Sequence, residues 1–207
     1  MGEKMKDLER RSYNFEIRAE ESERGHIITG RPIVYNSRTN LGLFDEVIDE
    51  GALNQTNLND VRFLVNHDTS RVPLARSRRN NDRSTMHFTV DSLGLNLDWV
   101  DLDVDNNSDA RALYSAVNRG DLSGMSFAFS VDGESWDDLE SEHPTRHITK
   151  IGSVVEVSAV TFPAYEATNI DARSRALDNA RAALDKAKTV DTELALLKEK
   201  TKVLGGL

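Results

Sequence analysis

Residues 125–131 read Met125-Ser126-Phe127-Ala128-Phe129-Ser130-Val131, an alternation of large apolar and small side chains. Successive side chains of a β-strand point to opposite faces, so this pattern predicts a strand with one core-facing side. The other side is small and carries the hydroxyl of Ser126, just after Gly124. This small face either packs beneath a helix or leaves room for a substrate chain, and the pattern alone does not choose between these two interpretations.

Most of the chain up to about residue 170 has the same strand-like character. Short alternating or apolar stretches are separated by Gly, Asn, Asp and Pro, which favour turns. Strands are predicted at 12–18, 26–34, 61–66, 86–91, 94–103, 125–131, 146–151 and 153–162. One helix is predicted near 108–119, with Ser108 as its N-cap and Gly120 after its end. Many short strands around one helix predict a mainly antiparallel, closed or nearly closed β-barrel with the helix outside.

The last part of the chain has a different composition. From about Asp171 it is rich in alanine, leucine and charged residues, with neither Pro nor Gly before Gly205. The apolar spacing predicts an amphipathic helix or a helical pair. We therefore expect two domains, a β domain over 1–170 and a helical tail over 171–207. The apolar stripe of the tail is expected to pack on the β domain or on another subunit.

The overall composition excludes several classes of function. The 207 residues carry a net charge of −9 and no cysteine. An acidic chain is a poor match for nucleic acid as main partner, and no apolar run reaches the ~18 residues of a membrane span. Without cysteine there is no thiolate nucleophile and no cysteine zinc site. The aspartates between Asp98 and Asp105 lack the spacing of a calcium loop, so neither a metal nor a cofactor is expected.

The candidate chemistry is that of a nucleophilic hydroxyl and a base. His67 follows a predicted strand, in Val65-Asn66-His67-Asp68, and Ser126 begins another. A serine and a histidine far apart in sequence can meet in the fold and carry out acyl transfer. The segment around His67 is equally compatible with an ordinary turn, and Asp68 is a rival acidic partner for the imidazole.

A third candidate is Glu156, in the middle of the apolar stretch 153–162. A carboxylate buried in such a strand needs a partner, since an unpaired one costs several kcal/mol. That partner is a structural arginine, backbone amides, or Nδ1–H of His67, and the pattern leaves these open.

Five segments, in order, resemble the prohead (capsid maturation) serine proteases of tailed phages, in the group typified by the protease of phage HK97. They cover roughly residues 11 to 170 and are Gly30-Arg31-Pro32-Ile33-Val34-Tyr35-Asn36, 44–53, 66–68 with 73–76, 119–127, and 155–165. The last reads Val155-Glu156-Val157-Ser158-Ala159-Val160-Thr161-Phe162-Pro163-Ala164-Tyr165.

The resemblance implies a fold, a site and a role. The fold would be a β-barrel flanked by helices, similar to that of the herpesvirus assembly proteases. Ser126 would be the nucleophile, His67 the base and Glu156 the third member, with His147 as rival because the herpesvirus relatives use a second histidine. The oxyanion donors are not identified; loose candidates lie in 71–79 and 146–152.

The same resemblance implies partners and a location. The protease would cut scaffold segments and the major capsid protein, and also itself, inside the immature prohead in the host cytoplasm. A homo-oligomer is expected. Two alternatives remain: a non-catalytic capsid-assembly scaffold or chaperone on the same fold, and an unrelated β-barrel binding module.

Overall fold

The structure, a computed structural model, describes residues 8–13, 17–161 and 170–204. Two helices and eleven strands follow one another along these residues. They are β1 Glu9–Tyr13, β2 Ile17–Ser22, β3 Gly25–Val34, β4 Thr39–Asn40, β5 Asp45–Ile48, β6 Arg62–Val65, β7 Ala75–Arg76, β8 Met86–Asp91, β9 Gly94–Asp101, α1 Ser108–Asn118, β10 Gly124–Asp137, β11 Thr145–Val160 and α2 Ile170–Leu204.

The larger sheet is built around β11. One edge of β11 pairs antiparallel with β10, which in turn pairs with β1. The other edge pairs in parallel with two short strands, β5 near its start and β6 near its end. With β4 beside β5 and β7 beside β6, this sheet has seven strands. The mostly apolar second half of β11, over 153–160, fits its central position.

The smaller sheet has four antiparallel strands in the order β2-β3-β9-β8. Its buried side chains, such as Phe88 and Leu97, join Phe127 and Phe129 of the larger sheet in one apolar cluster. Helix α1 adds Ala110, Leu113 and Val117 to the same cluster, one face of its 3.6-residue period. The two sheets and α1 therefore share a single core.

The predicted mainly β fold is confirmed, but the described residues form no closed barrel. In the described ranges no hydrogen-bonded ladder joins the seven-stranded sheet to the four-stranded one. The reason lies in β11, whose second edge is filled by two short parallel strands instead of one long strand. These short strands lead to the edges β4 and β7, which do not pair with the smaller sheet.

Two further expectations need correction. The stretches 146–151 and 153–160 form one strand, β11, in which Gly152 is skipped at a register shift against β10 without ending the strand. The N-cap of α1 is Asn107, not Ser108: its side-chain oxygen accepts from the amides of Asp109 and Ala110. Gly120 follows the helix with φ +75, the left-handed geometry expected of a helix stop.

Helix α2 contacts the loop between β4 and β5 and the turn between β10 and β11. Leu177 is 6% exposed and forms a small cluster with Leu41 and Phe44. Arg181 donates from Nη2 to the backbone oxygen of Ser141 at 2.9 Å, in the turn between β10 and β11. The tail is one helix over its described length. No helix among the described residues is long and apolar enough to cross a membrane.

A buried network of charges fixes β1 against the rest of the larger sheet. Arg11 donates to Glu46 of β5 at 2.5 and 2.6 Å, and Arg146 of β11 donates to both oxygens of Glu9 at 2.8 Å. Burial alone raises the pKa of Glu9, but hydrogen bonds and charge from Arg146 and Arg11 outweigh it and lower the pKa to about 2. The network holds β1 on the edge of β10.

Candidate active site

His67 lies in a tight turn that follows β6. Asn66 and His67 have φ values of 50° and 58°, and the amide of Asp68 donates to the carbonyl of Val65 at 3.1 Å. Two consecutive left-handed residues define a type I′ turn, which asparagine tolerates well and histidine less commonly. Such backbone geometry in non-glycine residues persists only where the surroundings hold it.

The side chain of Asn66 supplies much of that hold. Its Oδ1 accepts from the amide of Thr161 at 2.9 Å, and its Nδ2 donates to the hydroxyl of Thr161 at 3.2 Å. The amide of Asn66 also donates to the carbonyl of Ala159 at 2.9 Å. The turn is thereby fastened to the end of β11.

Glu156 projects from β11 and contacts the imidazole of His67. The contact joins Oε1 of Glu156 to Nδ1 of His67. An ionised carboxylate can only accept, so Nδ1 carries the hydrogen and Nε2 is the nitrogen that can act as a base. Glu156 is buried, and Nε of Arg10 lies 4.0 Å from the same Oε1. Of the partners considered for Glu156, His67 makes the closest contact and an arginine stands behind it.

Ser126 lies on β10, directly opposite Ser158 of β11. Opposite residues of an antiparallel pair share a face, and Glu156 shares that face because it is two residues from Ser158. Cβ atoms of such pairs are about 4.5–5.5 Å apart. β11 lies between β10, which carries Ser126, and β6, which precedes His67, so these two residues are not on neighbouring strands.

The hydroxyl of Ser126 is oriented away from β11. Its Oγ donates to the carbonyl of Arg11 on β1 at 2.8 Å, and the residue is 0% exposed. β1 pairs with the edge of β10 that faces away from β11 and His67. The arrangement therefore brings His67 and Glu156 into contact and leaves Ser126 one strand away with its hydrogen on another acceptor.

The rival histidine, His147, belongs to a different part of β11. Its Nδ1 lies 2.8 Å from Asp49 and its Nε2 lies 3.4 Å from Asp137. Nine residues separate it from Glu156, roughly 30 Å along a strand. The stretch 146–152 lies 4 to 10 residues before Glu156 on the same strand, about 13 to 33 Å away, and Arg146 itself is buried among three glutamates.

Sequence reasoning missed Ser158. Its Oγ donates to Oε2 of Glu156 at 2.6 Å and accepts from the amide of His67 at 3.2 Å. The available signal was its place two residues after Glu156, which puts both on one face of a strand. What the sequence did not reveal is that the turn carrying His67 lies over that face.

A family model described as caudovirus prohead serine protease matches residues 13–183. The chain belongs to this family of serine peptidases, as its motifs predicted. The matching range includes His67, Ser126 and Glu156, and it also includes the motif residues Phe162 to Tyr165, which lie outside the described residues. Searches among curated proteins and among solved structures found no match.

Proposed function

We propose that this protein is a capsid-maturation endopeptidase with Ser126 as nucleophile, His67 as general base and Glu156 as the orienting acid. The observation that carries the proposal is the contact between Nδ1 of His67 and Glu156 on the sheet face that also bears Ser126. Membership of the prohead serine protease family supports the same reaction.

In this mechanism Ser126 Oγ attacks the carbonyl carbon of the scissile peptide bond. Nε2 of His67 takes the hydroxyl proton and then delivers it to the leaving amine. Water, deprotonated by the same nitrogen, hydrolyses the acyl-enzyme. Glu156 keeps the hydrogen on Nδ1 and stabilises the imidazolium that forms in both steps.

Catalysis requires a change at Ser126 before the first step. Its hydroxyl must leave the carbonyl of Arg11 and turn toward His67, a rotation about χ1 between staggered positions. The residue must also become accessible to a substrate, because it is fully buried. The described conformation is thus a resting one in this proposal.

The proposed substrates are the scaffold segments and the major capsid protein of the phage, and the chain itself. Cleavage would take place inside the immature prohead in the host cytoplasm. We further propose that 1–170 form the catalytic domain, that the tail 171–207 carries self-cleavage sites, and that the protein works as a homo-oligomer. The exposed Val190, Leu194 and Leu197 of α2 lie at i, i+4 and i+7 and offer an apolar stripe to a second subunit.

A fluorophosphonate probe and intact-mass spectrometry test this function without a known substrate. The wild-type protein should gain one covalent label, mapped to Ser126, and should lose mass on long incubation through self-cleavage. Ser126→Ala should do neither. A wild-type protein that neither labels nor cuts would contradict the proposal.

The alternative is a non-catalytic assembly scaffold on the same fold. One observation favours it: Ser126 has no exposed surface and its hydroxyl is bound to Arg11. A scaffold would bind capsid protein with the same affinity in wild type and Ser126→Ala, and neither form would label. The labelling experiment therefore separates the two functions.

A further inference from the structure

Ser158 joins the two halves of the candidate acid–base pair. It is 0% exposed and lies on β11 opposite Ser126. The sequence motifs gave it no role. Through a single hydroxyl it reaches both Glu156 and His67.

The hydroxyl of Ser158 acts as donor and acceptor at once. It donates to Oε2 of Glu156 at 2.6 Å, a short hydrogen bond of the charge-assisted kind. It accepts from the backbone amide of His67 at 3.2 Å. Because a hydroxyl carries only one hydrogen, the bond to the carboxylate also leaves its lone pairs directed at the amide.

These two bonds restrain different freedoms. The terminal torsion of a glutamate is broad, so one hydrogen bond from His67 does not by itself fix the carboxylate plane. A second bond, to Oε2, defines that plane and directs Oε1 at Nδ1. The bond to the amide of His67 restrains the left-handed turn that sets the position of the imidazole.

We propose that Ser158 is a positioning residue for the His67–Glu156 pair. This inference rests on the proposed serine protease function and deepens it. Ser158 touches no reacting atom; it acts by holding the carboxylate and the histidine backbone in one geometry, as outer hydrogen bonds hold the ligands of a metal site.

The chain offers a matched control in Ser153. Like Ser158, it lies on β11 opposite a serine of β10, and its Oγ is 3.0 Å from Oγ of Ser130. This pair contacts neither His67 nor Glu156 in any hydrogen bond of the described structure. Ser153→Ala removes a hydroxyl from the same two strands without touching the candidate site.

The experiment measures the rate of fluorophosphonate labelling against pH in wild type, Ser158→Ala and Ser153→Ala. We expect Ser158→Ala to label about 10- to 100-fold more slowly, the range for loss of a hydrogen bond to a charged group. In Ser158→Ala the fall of the labelling rate on the acidic side of the pH profile should move to lower pH, because a loosely held Glu156 stabilises the imidazolium of His67 less. Ser153→Ala should match wild type in both.

Two further variants and one spectrum complete the test. Ser158→Thr keeps the hydroxyl and should recover most of the rate; Ser158→Cys, a weaker donor, should fall between and replaces the alanine variant if that one does not fold. The proton between His67 and Glu156 should give a low-field NMR signal that weakens in Ser158→Ala and persists in Ser153→Ala.

The outcomes separate the two proposals. Wild-type labelling with an unchanged rate, pH profile and low-field signal in Ser158→Ala would overturn the positioning role and leave the protease intact. Equal losses in Ser158→Ala and Ser153→Ala would also overturn it, since they indicate general destabilisation. A wild-type protein without any label at Ser126 overturns the protease function itself.

Discussion

Nδ1 of His67 contacts Oε1 of Glu156 across 89 residues of sequence. The histidine comes from a left-handed turn after β6, and the glutamate from the middle of the central strand β11. The two meet because β6 pairs in parallel with the end of β11, with Arg62 opposite Glu156. This pairing carries the turn after β6 over the face of β11 that presents the carboxylate.

Glu156→Gln tests the orienting role of this contact. An amide stabilises the imidazolium poorly and can hold the wrong tautomer, so we expect a loss of at least about a hundredfold in self-cleavage and labelling. His147→Ala should be nearly silent, because its partners are Asp49 and Asp137. Full activity in Glu156→Gln with an inactive His147→Ala would reverse the assignment.

Ser126→Ala and His67→Ala should each abolish self-cleavage and leave the fold intact. Ser126→Ala removes no large apolar group, so its unfolding temperature should change little. His67→Ala takes the imidazole from buried Glu156 and puts alanine at φ 58°, so its unfolding temperature should fall. The check is intact mass after long incubation, with circular dichroism as the control for folding. Ser123 is exposed just before the same strand, and cleavage at the wild-type rate by Ser126→Ala would make Ser123 the candidate nucleophile.

Asn66→Ala should weaken the turn that carries His67. The change removes the bonds to Thr161 and puts alanine in a left-handed conformation, which costs about 1–2 kcal/mol relative to glycine. Asn66→Gly keeps the backbone geometry and should lose less stability. Asn36, with φ 56° and no part in the site, supplies the control: Asn36→Ala should lose stability in urea unfolding but not labelling rate. Equal labelling in all three variants would contradict a role for the turn.

The stability of the protein should fall in acid through Glu9. Its pKa is lowered from 4.5 to about 2 in the folded protein, so its contribution is complete above pH 4.5 and is lost as the pH falls from 4.5 to 2. The shift corresponds to about 3 kcal/mol. Glu9→Gln should be less stable at pH 7 and lose less on acidification, measured by urea unfolding at several pH values. Glu23→Gln, at an exposed position, should show the same pH dependence of unfolding free energy as wild type. The same pH dependence in Glu9→Gln would contradict a stabilising role of the charge network.

Leu177→Ala should loosen α2 from the loop between β4 and β5. Truncating a buried leucine costs about 2–3 kcal/mol, here lost from the contact with Leu41 and Phe44. Limited proteolysis should cut α2 faster in this variant. Leu194→Ala, on a side chain 48% exposed, is the matched control and should leave the cleavage rate of isolated protomers unchanged. Equal proteolysis of both variants would contradict a docked tail.

Local patterns predicted much of the strand content because they depend on neighbouring residues alone. The alternation from Ser126 to Val131 predicted β10, and the apolar run around Glu156 predicted the second half of β11. Strand β5 was missed because Glu46 is charged, and its burial depends on Arg11 and Arg146, which are distant in sequence. Buried ion pairs leave no periodic signal in the segment that carries them.

The site was predicted as a set of residues but not as an arrangement. A histidine, a serine and a buried carboxylate were identifiable by residue type and by family motif. The order of strands was not, because register and pairing follow from the whole sheet. The place of β11 between Ser126 and His67, and the role of Ser158 between them, emerge only from that pairing.

The position of β1 limits how a substrate can be recognised. It occupies one edge of β10 from Met125 to Phe129, and β11 occupies the other. With both edges filled over this stretch, β10 offers no open main-chain ladder beside Ser126 to an incoming polypeptide. For the proposed protease, the choice of scissile bond then rests on side-chain contacts above the sheet. Peptide inhibitors that depend on strand pairing beside Ser126 should bind poorly, and N-methylation of their backbone should cost them little affinity.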